Sequence, residues 1–391
     1  MKYITFISRI LAGALFVFSG FVKAIDPLGS TYKFTDYFNA FGLPWAAEAS
    51  FSLAILLSTV EFLAGMSLLI NFKIKWGAWA ALLFMVLFTP LTLYLAITNA
   101  VNDCGCFGDA MRMTNWQTFY KNVVISALVV VVFLYRNKFE KYFIPKVEFA
   151  LLALSAAAVL VFQVYNYRHL PVIDFRPYKV GTYLPNNMRI PEDAPKEKSI
   201  YYYHMKNLGT QEISRITSDD YLNDTTWQNP EKFELLPDKT EGPIVIEKGY
   251  EPPIHDFVAE ALQSDSLLGI EQGSDIIPAL LEREGYAMIM VAYNLENSNV
   301  EALEKCIALY SLFRNEHSGF YALTSTGPDQ IESIAEKLGL EYPFYLADAT
   351  MLKTIVRANP GFVLLKKGTV LAMWHYNDVP DSETLKTQFL K

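Results

Sequence analysis

Five apolar stretches, residues 7–22, 51–70, 76–98, 119–135 and 147–164, constrain this 391-residue chain more than any other feature. Each is close to the roughly 20 residues that a helix needs to cross the hydrocarbon core of a bilayer. In lipid the backbone must satisfy its own hydrogen bonds, which a helix does within one segment. Five transmembrane helices are therefore expected. The overall balance agrees: 52% hydrophobic residues and a mean hydropathy of +0.19 are too apolar for an ordinary soluble protein. No small-x-small cleavage site follows the first stretch, and Lys23, Asp26 and Pro27 come instead, so it reads as a retained anchor rather than a signal peptide.

Positive residues give an orientation. Lys2 precedes the first helix, Lys73 and Lys75 fill the second loop, and Arg136, Lys138, Lys141 and Lys146 fill the fourth, which assigns these to the cytoplasmic side of a cytoplasmic (inner) membrane. The 24–48 loop, the 99–118 loop and residues 165–391 then face the extracytoplasmic, or periplasmic, side. Residues 1–164 carry 12 Lys/Arg against 8 Asp/Glu, and residues 165–391 carry 21 against 33, so no basic face for nucleic acid is visible in the sequence. All five histidines (His169, His204, His255, His317, His375) fall in the acidic half and are widely scattered. That argues against haem, copper or zinc in the membrane half and against a metal site elsewhere.

Two of the three cysteines lie in Asp103-Cys104-Gly105-Cys106-Phe107-Gly108-Asp109, on the side where disulfide chemistry is permitted. A Cys-x-Cys pair closes only a small ring near the upper limit of disulfide geometry, so its oxidised form should be strained and easily reduced. Gly105 and Gly108 give the backbone the freedom this turn needs. Asp103 and Asp109 would raise a neighbouring thiol pKa, with Arg112 nearby to offset them, so a nucleophile here needs help from elsewhere in the fold.

Among polar residues within the helices, Glu61 is the candidate relay, since an intramembrane carboxylate is a functional candidate by default. Its plainer reading is an ion pair with Arg9 or Lys23. Gly13, Gly20 and Gly65 read as close-packing positions between helices. Thr89-Pro90 predicts a kink, and residues 32–41 read as an amphipathic segment along the membrane surface.

The run Ser8 to Phe16 with Gly20-Phe21-Val22-Lys23, the Glu61-centred second helix and Asp103-Cys104-Gly105-Cys106-Phe107-Gly108 resemble the DoxX-like and methylamine-utilisation MauE families of four-helix membrane proteins, over residues 1–140. The resemblance implies a role in periplasmic disulfide formation or in maturation of a partner enzyme, with Cys104 and Cys106 at the matching positions. Residues 147–164 then form a fifth, tethering helix.

Beyond the membrane part, residues 165–248 read as a Pro- and charge-rich linker followed by a small β-rich insert with strand-like runs at 199–204, 233–236 and 242–247. In residues 249–391 the pattern predicts helix at 273–283, strand at 285–293, helix at 300–314, strand at 320–324, helix at 330–338, a hairpin of 362–365 and 370–374, and a closing helix at 382–390. This order resembles the α/β thioredoxin-like fold in its peroxiredoxin-style variant. The resemblance places a cis-proline and a candidate peptide-binding site at Asn359 and Pro360. The family's redox pair is missing, because Asn294-Leu295-Glu296-Asn297 stands where it should begin, and Cys306 reads as a small core residue.

Two main readings of function follow. In the first, Cys104 and Cys106 form the catalytic redox pair of a membrane-embedded thiol–disulfide exchange or maturation factor, and the C-terminal domain docks an extracytoplasmic client protein. Electrons then need an acceptor or donor such as a membrane quinone, for which the sequence offers no recognisable site. In the second, the chain is a non-enzymatic envelope scaffold, the cysteines pin a loop and the thioredoxin-like domain binds a partner. A third gives the bundle a structural or transport role with Glu61 facing a cavity.

Overall fold

The structure, a computed structural model, describes residues 2–101, 103–266, 269–315 and 318–390. His317 lies outside them. Six helices come first: α1 (Lys2–Ile25), α2 (Pro27–Ala40), α3 (Ser50–Ile70), α4 (Ile74–Thr98), α5 (Asn115–Leu134) and α6 (Pro145–Arg168). Among the described residues, five helical segments, all but α2, are long and apolar enough to cross a membrane. The protein is thus multi-pass.

Glycine sets the tightest contact in the bundle, between α1 and α3. A Cβ at Gly20 would meet the Phe62 backbone N at 2.6 Å, and one at Gly65 would meet the Val17 backbone N at 2.4 Å. Small residues at such positions let backbones approach where lipid gives no hydrophobic drive to helix pairing. Around this contact Phe16, Leu68, Phe84, Met85, Ile125 and Val129 fill the bundle core. Pro90 sits inside α4, and its neighbours Thr89 and Thr92 bond across to Ser126 and Asn122 of α5.

The fifth spanning helix does more than tether. Gln163 of α6 is fully buried; it accepts from Ser58 Oγ at 2.7 Å and donates to Thr59 Oγ1 at 2.8 Å. Asn166, one turn on, donates to the Ala24 carbonyl and accepts from Val172 N. Polar groups paired in this way fix the position of α6 on α1 and α3. The segment expected along the membrane surface is α2, started by Asp26 as N-cap and Pro27 in the first turn. Its Tyr37 turns inward and packs with Leu95, Val101 and Cys104.

The remainder is rich in sheet. Leu184–Asp256 forms a compact unit of its own, with the short helices α7 (Leu184–Met188) and α8 (Ser218–Asn223). Its β1 (Lys198–Asn207) pairs antiparallel with β2 (Ile213–Thr217), β3 (Phe233–Leu235) and β4 (Glu241–Glu247). Tyr201, Tyr202 and Tyr203 lie on β1, where Tyr201 stacks on Tyr203 and the Arg215 guanidinium covers Tyr202.

The rest of the described chain belongs with the helical bundle in the other unit. Its sheet runs β10 (Thr369–His375), β9 (Gly361–Lys366), β6 (Tyr286–Ala292), β7 (Ser318–Thr324), β8 (Phe344–Ala347), β5 (Ala259–Ala261). β6, β7 and β8 are mutually parallel, and β9, β10 and β5 run antiparallel to their neighbours. The helices are α9 (Ile277–Glu282), α10 (Val300–Phe313), α11 (Pro328–Leu338), α12 (Ala349–Ile355) and α13 (Ser382–Gln388). β6 is buried almost throughout, as expected of a central parallel strand covered on both faces. Lys367 and Gly368 both take positive φ in the β9–β10 turn, which suits the twist of a two-residue hairpin. Cys306 is fully buried among Met290, Leu303 and Phe313, and burial raises its thiol pKa.

Because the groups facing Gly20 and Gly65 include backbone, neither can move aside as a flexible side chain would. Gly20→Ala and Gly65→Ala should each lower stability by about 1–3 kcal/mol. Gly327→Ala, where a Cβ meets nothing within 4 Å, should leave it unchanged. Thermal unfolding in detergent, followed by intrinsic fluorescence, checks both.

Candidate thiol site at one end of the bundle

The loop between α4 and α5 carries Cys104 and Cys106 over the ends of the helices. Gly105 and Gly108 take φ of +63° and +51°, and a Cβ on Gly105 would meet Lys33 Cγ at 2.9 Å. The turn therefore requires glycine twice. Both cysteines are free, and their sulfurs lie 2.7 Å apart. Tyr37 OH donates to the Cys104 carbonyl at 2.6 Å, and Ser19 Oγ donates to the Cys106 carbonyl at 2.8 Å. Each cysteine is thus held by its backbone, one from α2 and one from α1, and the two sulfurs face each other.

Glu61 comes into the same place through Lys23. Lys23 Nζ lies 2.6 Å from Glu61 Oε2 and also donates to Ser19 Oγ at 2.9 Å. A chain of contacts thus runs Glu61, Lys23, Ser19, Cys106. Of the two partners the sequence offered Glu61, the structure uses Lys23; the Arg9 guanidinium sits instead beside the rings of Phe6 and Phe139.

The acidic residues flanking the pair are matched by cations. Asp103 pairs with Lys33 at 2.9 Å and accepts from the Gly105 amide. Asp109 takes Arg357 at 2.9 Å and the more exposed Arg112 at 3.6 Å. Arg357 also holds Asp26 at 2.8 Å, so one buried guanidinium from the sheet-rich part joins two helix-bundle loops. Burial alone would lower the Arg357 pKa, but Asp26 and Asp109 outweigh it and raise it.

With the aspartates matched, the thiols differ from each other. The Cys104 pKa is raised, first by its hydrogen bond to Cys106 and then by burial. The Cys106 pKa is lowered, first by the same bond donated to its thiolate, with burial opposing and the charges of Lys121 and Lys23 assisting. The two thiols are thus unequal, and Cys106 is the more acidic of the pair. Lys121 Nζ stands 4.2 Å from the Phe107 ring centroid.

Asn359 and Pro360 are not among the residues gathered around the thiols. Asn359 Nδ2 donates to the Asn294 carbonyl at 2.7 Å, which ties the start of β9 to the end of β6, and the Asn359–Pro360 bond is cis. Arg357, two residues earlier, is the part of this segment that reaches the bundle. Sequence reasoning missed Ser19, Lys33, Tyr37, Lys121 and Arg357. Lys121 alone carried a signal, as a lone cation in the first turns of an apolar helix.

Two outcomes test the arrangement. In reduced protein, the alkylation rate of Cys106 plotted against pH should have its midpoint below that of a free thiol at about 8.5, and that of Cys104 above it. Mass spectrometry of the labelled peptides separates the two. Arg357→Gln should cost about 3–5 kcal/mol, because two carboxylates lose a buried partner. Chemical unfolding of the full chain measures that loss.

Residues 1–135, which span α1 to the end of α5 and include both loop cysteines, match the family model described as methylamine utilisation protein MauE. No curated protein and no solved structure gives a significant match to the chain. In its first 135 residues the chain is similar to the methylamine utilisation MauE family, and everything from α6 onward lies outside that similarity.

Proposed function

We propose that this protein is a membrane-embedded thiol–disulfide exchange or maturation factor that acts on extracytoplasmic client proteins through Cys104 and Cys106. The observation that carries this reading is the pairing of two sulfurs 2.7 Å apart with opposite acidities. A structural staple has no use for that asymmetry, whereas exchange does. In the forward direction the Cys106 thiolate attacks a client disulfide, one client sulfur leaves as thiolate, and a Cys106–client bond forms. Cys104 then attacks Cys106 Sγ, the second client sulfur leaves, and a Cys104–Cys106 bond remains. The reverse sequence oxidises a client dithiol. Lys121 and Lys23 stabilise the thiolate in both directions.

The sheet-rich part is, in this reading, a thioredoxin-like domain without its own redox pair. Its support is the central parallel β6–β7–β8, the antiparallel β9–β10 hairpin and the helices between the strands. Such a domain would present a client along the segment at Asn359 and Pro360. Charge, and which loops share an end, support the orientation. Lys73 pairs with Glu148 and Asn71 reaches the Glu140 carbonyl, so the lysine-rich loops lie together. Arg357 gathers Asp26 and Asp109 at the other end. With the positive end cytoplasmic, the thiols face the oxidising compartment.

The test is alkylation trapping of Cys104 and Cys106 in intact cells on a Cys306→Ala background, across a range of external redox potentials. Exchange chemistry predicts a pair that passes between dithiol and disulfide within that range, and a client captured as a mixed disulfide by Cys104→Ser. A pair locked in one state throughout, with normal protein level, would favour the scaffold reading instead.

A further inference from the structure

A slot lined by α1, α2, α3, α4 and α5 takes in the cysteine pair. Leu15, Leu57, Phe88 and Ile125 form apolar walls, and Cys104 and Cys106 stand in its lining together with Lys23, Glu61 and Lys121. It is narrow, about 80 Å³. A cleft of that size admits the edge of one planar ring and leaves the remainder of a ligand outside. Leu57 and Phe88 are only half-buried, so the slot is not sealed on their side. Few ligands suit a space whose lining is mostly apolar, carries Lys23, Lys33 and Lys121, and includes a dithiol.

We propose that this slot binds the ring of a lipid-soluble quinone, which takes two electrons from the reduced Cys104–Cys106 pair. The proposal rests on the exchange reading above and fixes its net direction as client oxidation. After the pair has oxidised a client it is left as a dithiol and needs a two-electron acceptor. The quinone supplies one with balanced chemistry: two S–H bonds are given up, one S–S bond forms, and two electrons and two protons convert the quinone to its hydroquinone. The Cys106 thiolate adds to the ring, and Cys104 attacks Cys106 Sγ and breaks the sulfur–ring bond. The electron pair of that bond stays with the ring. Lys23 and Lys121 face the negative charge that then develops on the quinone oxygens, and the Lys23–Glu61 pair gives a path by which protons follow.

The experiment uses the full chain in lipid nanodiscs and a benzoquinone bearing one prenyl unit. Binding is measured first on the Cys104→Ser/Cys106→Ser protein, which separates the slot from the thiols. Saturable binding is expected, weakened at least tenfold by Leu57→Trp, which fills the slot, and unchanged by Leu56→Trp on the exposed side of the same helix. Equal binding to the Leu57→Trp protein, or equal binding of a prenyl alcohol without the ring, would overturn the site. The reduced, cysteine-containing protein is then mixed with the quinone. One hydroquinone per Cys104–Cys106 disulfide formed is expected, and binding without oxidation would overturn the electron transfer. Exchange of the same protein with a peptide disulfide is measured separately, so a failure of the exchange reading is seen apart from a failure of the quinone site.

Discussion

The close approach of α1 to α3 is the contact on which the thiol site depends. Gly20 and Gly65 let the two backbones come near enough for Lys23 to reach Glu61 at 2.6 Å across the pair of helices. The charge on Lys23 then holds Ser19, and Ser19 holds the Cys106 carbonyl. Side-chain volume at either glycine would act on the cysteine loop through this chain, although neither glycine touches it. An ion pair inside a bundle is a poor source of net stability, because both charges lose water. Here it fixes geometry and supplies positive charge beside Cys106.

A second constraint acts from outside the membrane helices. Arg357 neutralises Asp26 and Asp109, which belong to the loops that flank α2 and the cysteines. A guanidinium suits this place, since its fork can serve two carboxylates at once and it stays charged when buried. The acidic surroundings that the motif Asp103 to Asp109 suggested are therefore largely compensated once the chain is folded.

Much of this plan was legible in the sequence, and the losses have physical causes. The spanning helices were readable because lipid imposes both a length and a composition. Strands β6 and β7 were readable as apolar runs, whereas β5 and β8, at three and four residues, are too short to show a period. The cysteine pair announced itself by spacing. Its supports did not: Tyr37 acts across 67 residues and Ser19 across 87, and the partners of Arg357 lie 248 and 331 residues away. No periodicity encodes such contacts. The role of α6 was hidden for a similar reason, since Gln163 in an apolar run gives no sign of which helix will satisfy it.

The buried amides of α6 also have a mechanical meaning. Gln163 fixes the rotation of this helix against α3, and Asn166 continues the grip into Val172, where the chain leaves the bundle. Arg357 makes the second attachment. A body fastened at two separated points has lost the freedom of an arm on a swivel. The sheet that carries β6 to β10 is accordingly set on the bundle as on a fixed mount, and whatever moves in this unit moves with the helices that hold it.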